Sequence, residues 1–214
     1  MIKRRLLITA GNTWVPLDDV RVLTNIFSGE TGLRIAKACA KRGFDVTVIL
    51  ADCRVDLAAF KHKRIHIIRA ILFKDFYKAV KKEVKKGKYL ALIHAAAISD
   101  FILKKPLKGK ISSKKKLKLS LSKAPKIADK IKTWDRQIKL IKFKLEARKN
   151  LRKLTSIALK SKRASQANLI IANKLPFKKK HTFLLIKSKT QIKRVNGKAN
   201  LAKRLAKILD KELP

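Results

Sequence analysis

Acidic, aromatic and sulfur-containing residues are all scarce in this 214-residue chain. It has 14 Asp and Glu against 56 Lys and Arg, 6% aromatic residues, two cysteines and one methionine. Cys39 and Cys53 lack the spacing of metal ligands, which favours buried reduced thiols over a disulfide or a nucleophile. Aromatic rings for base stacking are few, and zinc-finger, RRM and KH patterns are absent. The chain therefore lacks the usual signatures of a nucleic-acid-binding module.

Long hydrophobic runs are absent as well. The apolar run after the basic N-terminus, Leu6 to Thr9, is too short for a signal peptide or a membrane span, so we expect a cytoplasmic protein. The histidines have no metal-ligand spacing and are expected in the core or on the surface: His62, His66, His94 and His181. Hydrophobic residues make up 46% of the chain, enough for a sizeable core. Because no repeat or linker interrupts the pattern, we expect one domain over residues 1–214.

The positive charge is large and unevenly distributed. The formal net charge is +42, yet residues 1–60 carry 9 basic and 6 acidic residues, whereas residues 61–214 carry 47 and 8. A field of this size attracts polyanions whatever the fold. Two interpretations stay open: a composition biased toward lysine on solvated faces, or a genuine affinity for RNA or anionic membranes.

The hydrophobic pattern predicts alternating strands and helices. The predicted strands are Leu6–Ala10, Asp45–Ala51, Arg64–Arg69, Leu90–Ala97, Gln137–Phe143 and Ala167–Ala172. The predicted helices are Thr31–Arg42, Asp75–Lys85, Ile127–Trp134, Glu146–Arg163 and Lys198–Leu209. His181–Ile186 and Gln191–Val195 flank a turn and predict an antiparallel hairpin. The order predicts a three-layer α/β/α sandwich with a Rossmann-like parallel sheet, continued by a mixed portion that contains the hairpin.

A lysine-rich loop is predicted between the fourth strand and the third helix. It extends from Leu103 to Lys116 and contains Pro106 and Gly109. Beyond it, Leu117, Leu119 and Leu121 alternate with polar residues, which predicts an extended segment.

A phosphate-binding loop is predicted near the N-terminus. The first strand leads into Gly11, and Ser28-Gly29-Glu30-Thr31-Gly32 opens the first helix. At such a junction free backbone N–H groups and the positive end of the helix dipole face an anion, and glycines allow close approach. Ser28, Gly29, Thr31 and Gly32 are therefore candidate phosphate ligands, although a tight turn alone would explain the Gly-x-x-Gly spacing.

Six segments, in order between residues 4 and 175, share a resemblance to one family. They are Gly11–Arg21, Thr24–Gly32, Ala95–Phe101, Gly109–Ser113, Phe143–Glu146 and Ile170–Asn173. Together they resemble phosphopantothenoylcysteine synthetase, the ligase of coenzyme A biosynthesis, in a stand-alone form of the C-terminal domain of the bifunctional flavoprotein.

The resemblance implies a two-step amide synthesis. The carboxylate of 4′-phosphopantothenate attacks the α-phosphate of CTP or ATP, and the acyl-nucleotide then reacts with the amine of cysteine. It also implies Mg²⁺, release of pyrophosphate, a homodimer and a separate decarboxylase protein as a partner.

The resemblance also assigns residues. Asn25 and Lys110 are the implied catalytic residues, and Arg21 binds substrate together with Asn25. The implied nucleotide-binding residues are Gly11, Ser28, Gly29, Thr31, Gly32, Ala96, Asp100, Phe143 and Lys160, with Asp100 binding either Mg²⁺ or the base.

Each assignment has a simpler alternative from the residues themselves. Asn25 fits a helix or turn cap, Lys110 (or Lys108, in a shifted register) fits a solvated loop cation, and Asp100 fits an N-cap or salt bridge. Arg21 fits a pair with Asp18 or Asp19 that holds the loop, and Phe143 fits a core residue.

The chain departs from the family pattern at several positions. Asn12 replaces a small residue, Ala124-Pro125-Lys126 replaces a polar segment, Lys142 replaces a glycine, and Asn168 replaces an aspartate. Ser161 and Ser165 stand where the family has lysines, and the neighbouring Lys160 and Lys162 are potential substitutes.

Two other functions stay open at this point. One is a basic Rossmann-like domain that binds RNA or another polyanion without catalysis. The other is a different nucleotide or dinucleotide enzyme, which is disfavoured because Asp52 is the only acidic residue near the end of the second strand.

Overall fold

An eight-stranded sheet lies at the centre of the computed structural model, which describes residues 4–103, 105–114, 116–147, 150–175 and 181–213. The strands are β1 (Arg5–Ala10), β2 (Val15–Pro16), β3 (Val22–Leu23), β4 (Asp45–Leu50), β5 (Ile65–Arg69), β6 (Ala91–His94), β7 (Phe101–Ile102), β8 (Ser122–Lys123), β9 (Lys139–Ala147), β10 (Leu169–Leu175), β11 (Thr182–Ile186) and β12 (Ile192–Asn196). The helices are α1 (Glu30–Ala40), α2 (Phe73–Val84), α3 (Ile127–Trp134), α4 (Leu151–Ala164) and α5 (Lys198–Glu212), with a 3-10 turn at Ala58–Phe60.

The strand order confirms the predicted fold class. The sheet runs β12-β11-β10-β9-β6-β1-β4-β5. Within this sheet, the neighbouring strands β10, β9, β6, β1, β4 and β5 are all parallel, whereas β11 and β12 add an antiparallel hairpin at one edge. In the central β1, residues 6–10 are all fully buried and, except for Thr9, apolar, because helices cover both faces of a parallel sheet.

Helices α1 and α5 cover one face of the sheet, and α2, α3 and α4 cover the other. Leu6, Ile8 and Ala10 of β1 point into a cluster with apolar residues of α1 and α5, while Leu7 points into a cluster with α2 and α3. This alternation is the two-residue period of a strand. Helix α4 packs on Ile170 and Ala172 of β10 in a third cluster. None of the helices in the described ranges is both long and apolar enough to cross a bilayer.

Most predicted elements lie within three residues of their observed ends, but β9 and α4 do not. The predicted helix Glu146–Arg163 was wrong at its start, because β9 continues through Ala147, with Glu146 opposite Lys174 of β10. Helix α4 begins only after Asn150, whose side chain accepts a hydrogen bond from the Lys153 backbone N–H at 2.8 Å. This N-cap defines the helix start.

The segment after the lysine-rich loop forms little regular structure. Residues 117–121 lie outside any strand, and their three leucines are exposed. Only the two residues of β8 pair, with β7. The predicted extended segment therefore forms strand pairs at only two residues, and the sequence pattern indicated neither the pairing of β7 with β8 nor that of β2 with β3.

Candidate functional site

A cleft with two adjoining cavities lies at the carboxyl ends of β1, β6 and β9. Its two cavities share five lining residues: Phe27, Ala96, Ala97, Phe143 and Leu145. The glycine-loop cavity, about 400 Å³, is lined by Gly11 and residues 26–32. The lysine cavity, about 530 Å³, is lined by Asn25, Asp100 and residues of β9, α3 and α4. Open parallel sheets bind ligands at this edge.

Three glycines allow the loop before α1 to pack against the end of β1. Gly11 has φ +85°, and a Cβ there would lie 2.4 Å from the Asp52 carbonyl oxygen. Gly29, the N-cap of α1, has φ +80°, and its Cβ would lie 3.0 Å from the Gly11 Cα. A Cβ on Gly32 would lie 2.7 Å from the Ala10 Cβ. The predicted phosphate ligands Ser28, Gly29, Thr31 and Gly32 therefore lie around one cavity, together with Gly11.

The first residues of α1 and α5 are joined at the glycine-loop cavity. Glu30 accepts hydrogen bonds from Lys198 and from Arg34, both at 2.6 Å. The hydrogen bond from Lys198 lowers the pKa of Glu30. Burial raises this pKa and the bond from Arg34 lowers it further, so the net shift is downward. Lys198 also lines the cavity, so both helix N-termini and one ammonium group lie beside the space where an anion would bind.

Asn25 lies in the segment between β3 and α1. Its side-chain amide donates one hydrogen bond to the Ala97 carbonyl oxygen at 3.1 Å, and the residue lines the lysine cavity. Helix α1 is capped by Gly29, so Asn25 is not a helix cap. The second N–H of the amide is the group that a ligand oxygen would accept from.

The lysine-rich loop is fastened to the turn at Asp18 and Asp19. Asp18 is buried and accepts hydrogen bonds from the Ile111 backbone N–H at 3.0 Å and from the Arg21 guanidinium at 2.7 Å. The bond from Ile111, against some desolvation, and the bonds from residues 20 and 21 lower the pKa of Asp18 to about 2. Asp19 accepts a second backbone bond, from Gly109 at 2.9 Å.

This fastening positions Arg21 and Lys110, two of the predicted site residues. Arg21 pairs with Asp18 and donates to the Ile111 carbonyl oxygen at 3.1 Å, which is the loop-holding alternative. Lys110 lies between the two fastened residues, is exposed, and lines neither cavity. The structure therefore does not bring Arg21 or Lys110 into the cleft beside Asn25.

Asp100, Lys160, Ala96 and Phe143, which the resemblance assigns to nucleotide binding, line the lysine cavity. Within the described residues, Asp100 makes no ion pair, and the cap of α3 is Lys126, so neither simple alternative for Asp100 applies. Phe143 fulfils both interpretations, since it packs against the core and lines both cavities. The described part of the chain has no group of three His, Cys, Asp or Glu side chains placed to hold a metal ion.

Sequence reasoning missed two buried titratable residues in the lysine cavity. Lys142 is 8% exposed, and its Nζ lies 3.8 Å from Asp129 and 3.5 Å from the Ser161 carbonyl oxygen. Its burial lowers the pKa of Lys142. His94 is also buried, with Nδ1 3.0 Å from the Thr9 hydroxyl, and burial with the nearby Lys142 charge lowers the pKa of His94 to about 4. The only sequence signal was that Lys142 stands where the family has glycine.

Comparisons with known proteins agree along nearly the whole chain. The model of the DNA/pantothenate metabolism flavoprotein C-terminal domain matches residues 1–213. The chain is 34% identical over 172 residues to the coenzyme A biosynthesis bifunctional protein CoaBC of Thermococcus kodakarensis, covering 80% of this chain and 41% of that protein. It is 29% identical to the protein of the same name from Methanocaldococcus jannaschii, covering 97% and 50%. The chain thus spans about half the length of these relatives.

Solved structures share the fold. The DNA/pantothenate metabolism flavoprotein from Streptococcus pneumoniae superposes with a TM-score of 0.86 at 28% identity, covering 98% of this chain and 99% of that one. A Cab2 mutant in complex with phosphopantothenate-cysteine superposes with a TM-score of 0.79 at 18% identity, covering 98% and 87%. At that identity the second likeness concerns the fold alone.

Proposed function

Because the chain belongs to the family of the DNA/pantothenate metabolism flavoprotein C-terminal domain, as its motifs predicted, we propose that it is a phosphopantothenate–cysteine ligase of coenzyme A biosynthesis. The observation that carries the proposal is the meeting of the glycine loop, Asn25 and a lysine-lined cavity at one edge of the sheet. Anion-binding backbone, an uncharged amide donor and lysine ammonium groups are what an acyl-nucleotide reaction needs.

The reaction has two steps that share one intermediate. A carboxylate oxygen of 4′-phosphopantothenate attacks the α-phosphorus of CTP or ATP, and the bond to the β-phosphate oxygen breaks to release pyrophosphate. The cysteine amine then attacks the acyl carbon, loses a proton and displaces the nucleoside monophosphate. Both steps build negative charge on oxygen, which N–H donors and cations stabilise.

The position of each residue in the site determines its proposed role. Backbone N–H groups of the loop from Ser28 to Gly32 bind a phosphate, and Ala96 and Phe143 contact the nucleotide. Asn25 donates to the acyl or phosphoryl oxygen from its free N–H. Lys110, which lines neither cavity, is proposed to extend its side chain from the fastened loop to the intermediate, while Arg21 holds that loop through Asp18 and the Ile111 carbonyl oxygen.

Mg²⁺ fits this site as a companion of the nucleotide. Asp100 offers one exposed carboxylate, and no cluster of three ligands exists among the described residues. Mg²⁺ commonly binds through one carboxylate together with substrate phosphates and water. When bound, it would neutralise charge on the triphosphate, and Asp100 would orient it.

The proposed setting follows from the relatives. Their name, bifunctional protein, supports a decarboxylase activity that acts beside this domain, in the same or a separate chain. We further propose a homodimer in the cytoplasm. The charge of +42 supports RNA binding as a second candidate, and the groove between α1 and α5, lined by five Lys and Arg side chains, is one basic surface available for it.

Pyrophosphate release tests the proposal. The protein is incubated with 4′-phosphopantothenate, cysteine, Mg²⁺ and either CTP or ATP, and omission of 4′-phosphopantothenate should stop the release. Asn25→Asp should lower kcat by about 100-fold or more, because a carboxylate repels the developing oxyanion. Asn168→Asp is the matched control, since the Asn168 oxygen only accepts a bond from the Leu140 backbone.

Two results would contradict this proposal. Absence of release with either nucleotide, combined with salt-dependent RNA binding, would favour the polyanion-binding alternative. Full activity of Asn25→Asp would remove Asn25 from the catalytic residues.

A further inference from the structure

The lysine cavity carries more positive than negative charge. Four lysines line it against two aspartates: Lys126, Lys142, Lys144 and Lys160 against Asp100 and Asp129. Its histidine, His94, has a pKa of about 4 and is neutral near pH 7. Lys144 is neutralised locally by Glu146 at 2.9 Å. The cavity therefore has an unbalanced positive charge in a partly desolvated space.

Lys142 is the most buried of these cations, and both of its contacts are long. Its ammonium group has three donors, and the residue is 8% exposed. The contacts to Asp129 at 3.8 Å and to the Ser161 carbonyl at 3.5 Å are longer than the 2.7–2.9 Å typical of charge-assisted hydrogen bonds. A buried ammonium with incomplete partners is costly, and a bound anion would remove that cost.

The charge of the cavity favours a polyphosphate over a single phosphate. Three lysines, at positions 126, 142 and 160, have no carboxylate within 3 Å among the described residues. Asp100, which would orient Mg²⁺ under the proposed function, lines the same cavity. A magnesium-bound triphosphate provides several anionic oxygens together with the cation that would satisfy Asp100.

We propose that Lys142 is a phosphate-binding residue in the lysine cavity for the β- and γ-phosphates of the nucleoside triphosphate. This role rests on the proposed function, because it assigns the triphosphate end of that substrate to the cavity that Asn25 also lines. Lys142 then binds the group that departs as pyrophosphate, so it affects nucleotide affinity more than the amide-forming step.

The pH dependence of binding gives a signature specific to Lys142. The groups facing it are His94 on β6, Asp129 and Lys126 on α3, Lys144 on β9 and Lys160 on α4. Burial and the neighbouring lysines lower the pKa of Lys142, whereas Asp129 raises it. Polyphosphate binding should therefore weaken as pH rises through this lowered pKa, before an ordinary lysine titrates.

Inorganic tripolyphosphate with Mg²⁺ tests the proposal by calorimetry without requiring turnover. Lys142→Met should weaken tripolyphosphate binding about tenfold or more at neutral pH, the loss of one hydrogen-bonded ion pair. Lys153→Met, an exposed position on α4 outside both cavities, removes the same charge and should change the affinity less than about twofold. Both proteins are titrated over the same pH range, so that any change in the ionisation of tripolyphosphate affects them equally. Below the ordinary lysine pKa of about 10.4, the wild-type chain should lose more affinity than Lys142→Met as pH rises.

Folding does not obscure this result, because methionine removes a buried charge and should leave Tm unchanged or higher. In the full reaction, Lys142→Met should raise KM for the nucleotide with a smaller change in kcat. Wild-type affinity for tripolyphosphate in Lys142→Met, or the same pH dependence in both proteins, would overturn the proposal. If the wild-type protein releases no pyrophosphate but Lys142→Met still loses tripolyphosphate binding, the ligase function fails while the polyphosphate site stands.

Discussion

The two cavities of the cleft are built in different ways. The glycine-loop cavity depends on backbone conformation, with Gly11 and Gly29 at positive φ and in close contact with neighbouring backbone. The lysine cavity depends on charged side chains from β9, α3 and α4, which come from separate parts of the sequence. The glycine-loop cavity can be predicted from the sequence, because only glycine meets its steric requirements. The lysine cavity cannot, because a single lysine does not stand out in a chain with 56 basic residues.

The sharpest test of this comparison is a pair of glycine substitutions. Gly11→Ala should lower the free energy of unfolding by roughly 2–4 kcal/mol, because a Cβ would meet the Asp52 carbonyl at 2.4 Å and φ is +85°. Gly43→Ala has the same φ, +86°, but meets nothing within 4 Å, so it should cost only about 1 kcal/mol. Urea unfolding of both variants measures the difference. Equal losses would mean that φ alone, rather than the close packing of the loop, requires glycine at position 11.

A second test concerns the bonds that fasten the lysine-rich loop. Asp18→Asn should speed tryptic cleavage between residues 105 and 116, because it weakens the bonds to Ile111 and Arg21. Asp19→Asn, which affects the one side-chain bond from Gly109, should have a smaller effect. Cleavage at the wild-type rate in both variants would mean that the loop is held by other contacts.

The pH dependence of Asp18 has a defined sign. The pKa of Asp18 is lowered to about 2 in the folded protein, so its stabilising effect is present above the ordinary Asp pKa of about 4. The effect should be lost as pH falls from about 4 through about 2. Asp18→Asn should therefore have a shallower loss of stability over that interval.

The smallest expected effect is at the pair that joins the two helix N-termini. Glu30→Gln should lower the free energy of unfolding by about 0.5–1 kcal/mol, because the partly exposed ion pairs with Arg34 and Lys198 lose their charge. The difference should shrink in about 1 M salt, where screening is strong. A loss that is independent of salt would assign the stability to hydrogen bonding instead.

The sequence predicted the features that local physics determines. The apolar runs that became β1, β4 and β6 and the glycine loop before α1 followed from composition, periodicity and steric need. The end of β9 did not, because its last residues are strand only through pairing with β10 as far as Ala147 and Leu175. Tertiary pairing overrode the local helix pattern there.

The candidate site likewise has features that the sequence predicts and features that it does not. The motif around Asn25 was recognised in the sequence, but the contact of its amide with Ala97, 72 residues away, was not predicted. The burial of Lys142 depends on α3 and α4 closing over β9, which sequence periodicity does not report. The partner of Arg21 could not be predicted from the sequence either, since Asp18 and Asp19 were both possible, and in the structure Arg21 pairs with Asp18.

The hydrogen bonds to Gly109 and Ile111 also determine how fast Lys110, the residue between them, can move. The long lysine-rich loop is held at its middle by Asp18 and Asp19, so the backbone at Lys110 is fixed on both sides. Free loops rearrange in nanoseconds to microseconds, whereas exposed side chains change rotamer in picoseconds to nanoseconds. We therefore expect Lys110 to reach or leave a bound ligand by side-chain rotation alone, without waiting for its loop to move.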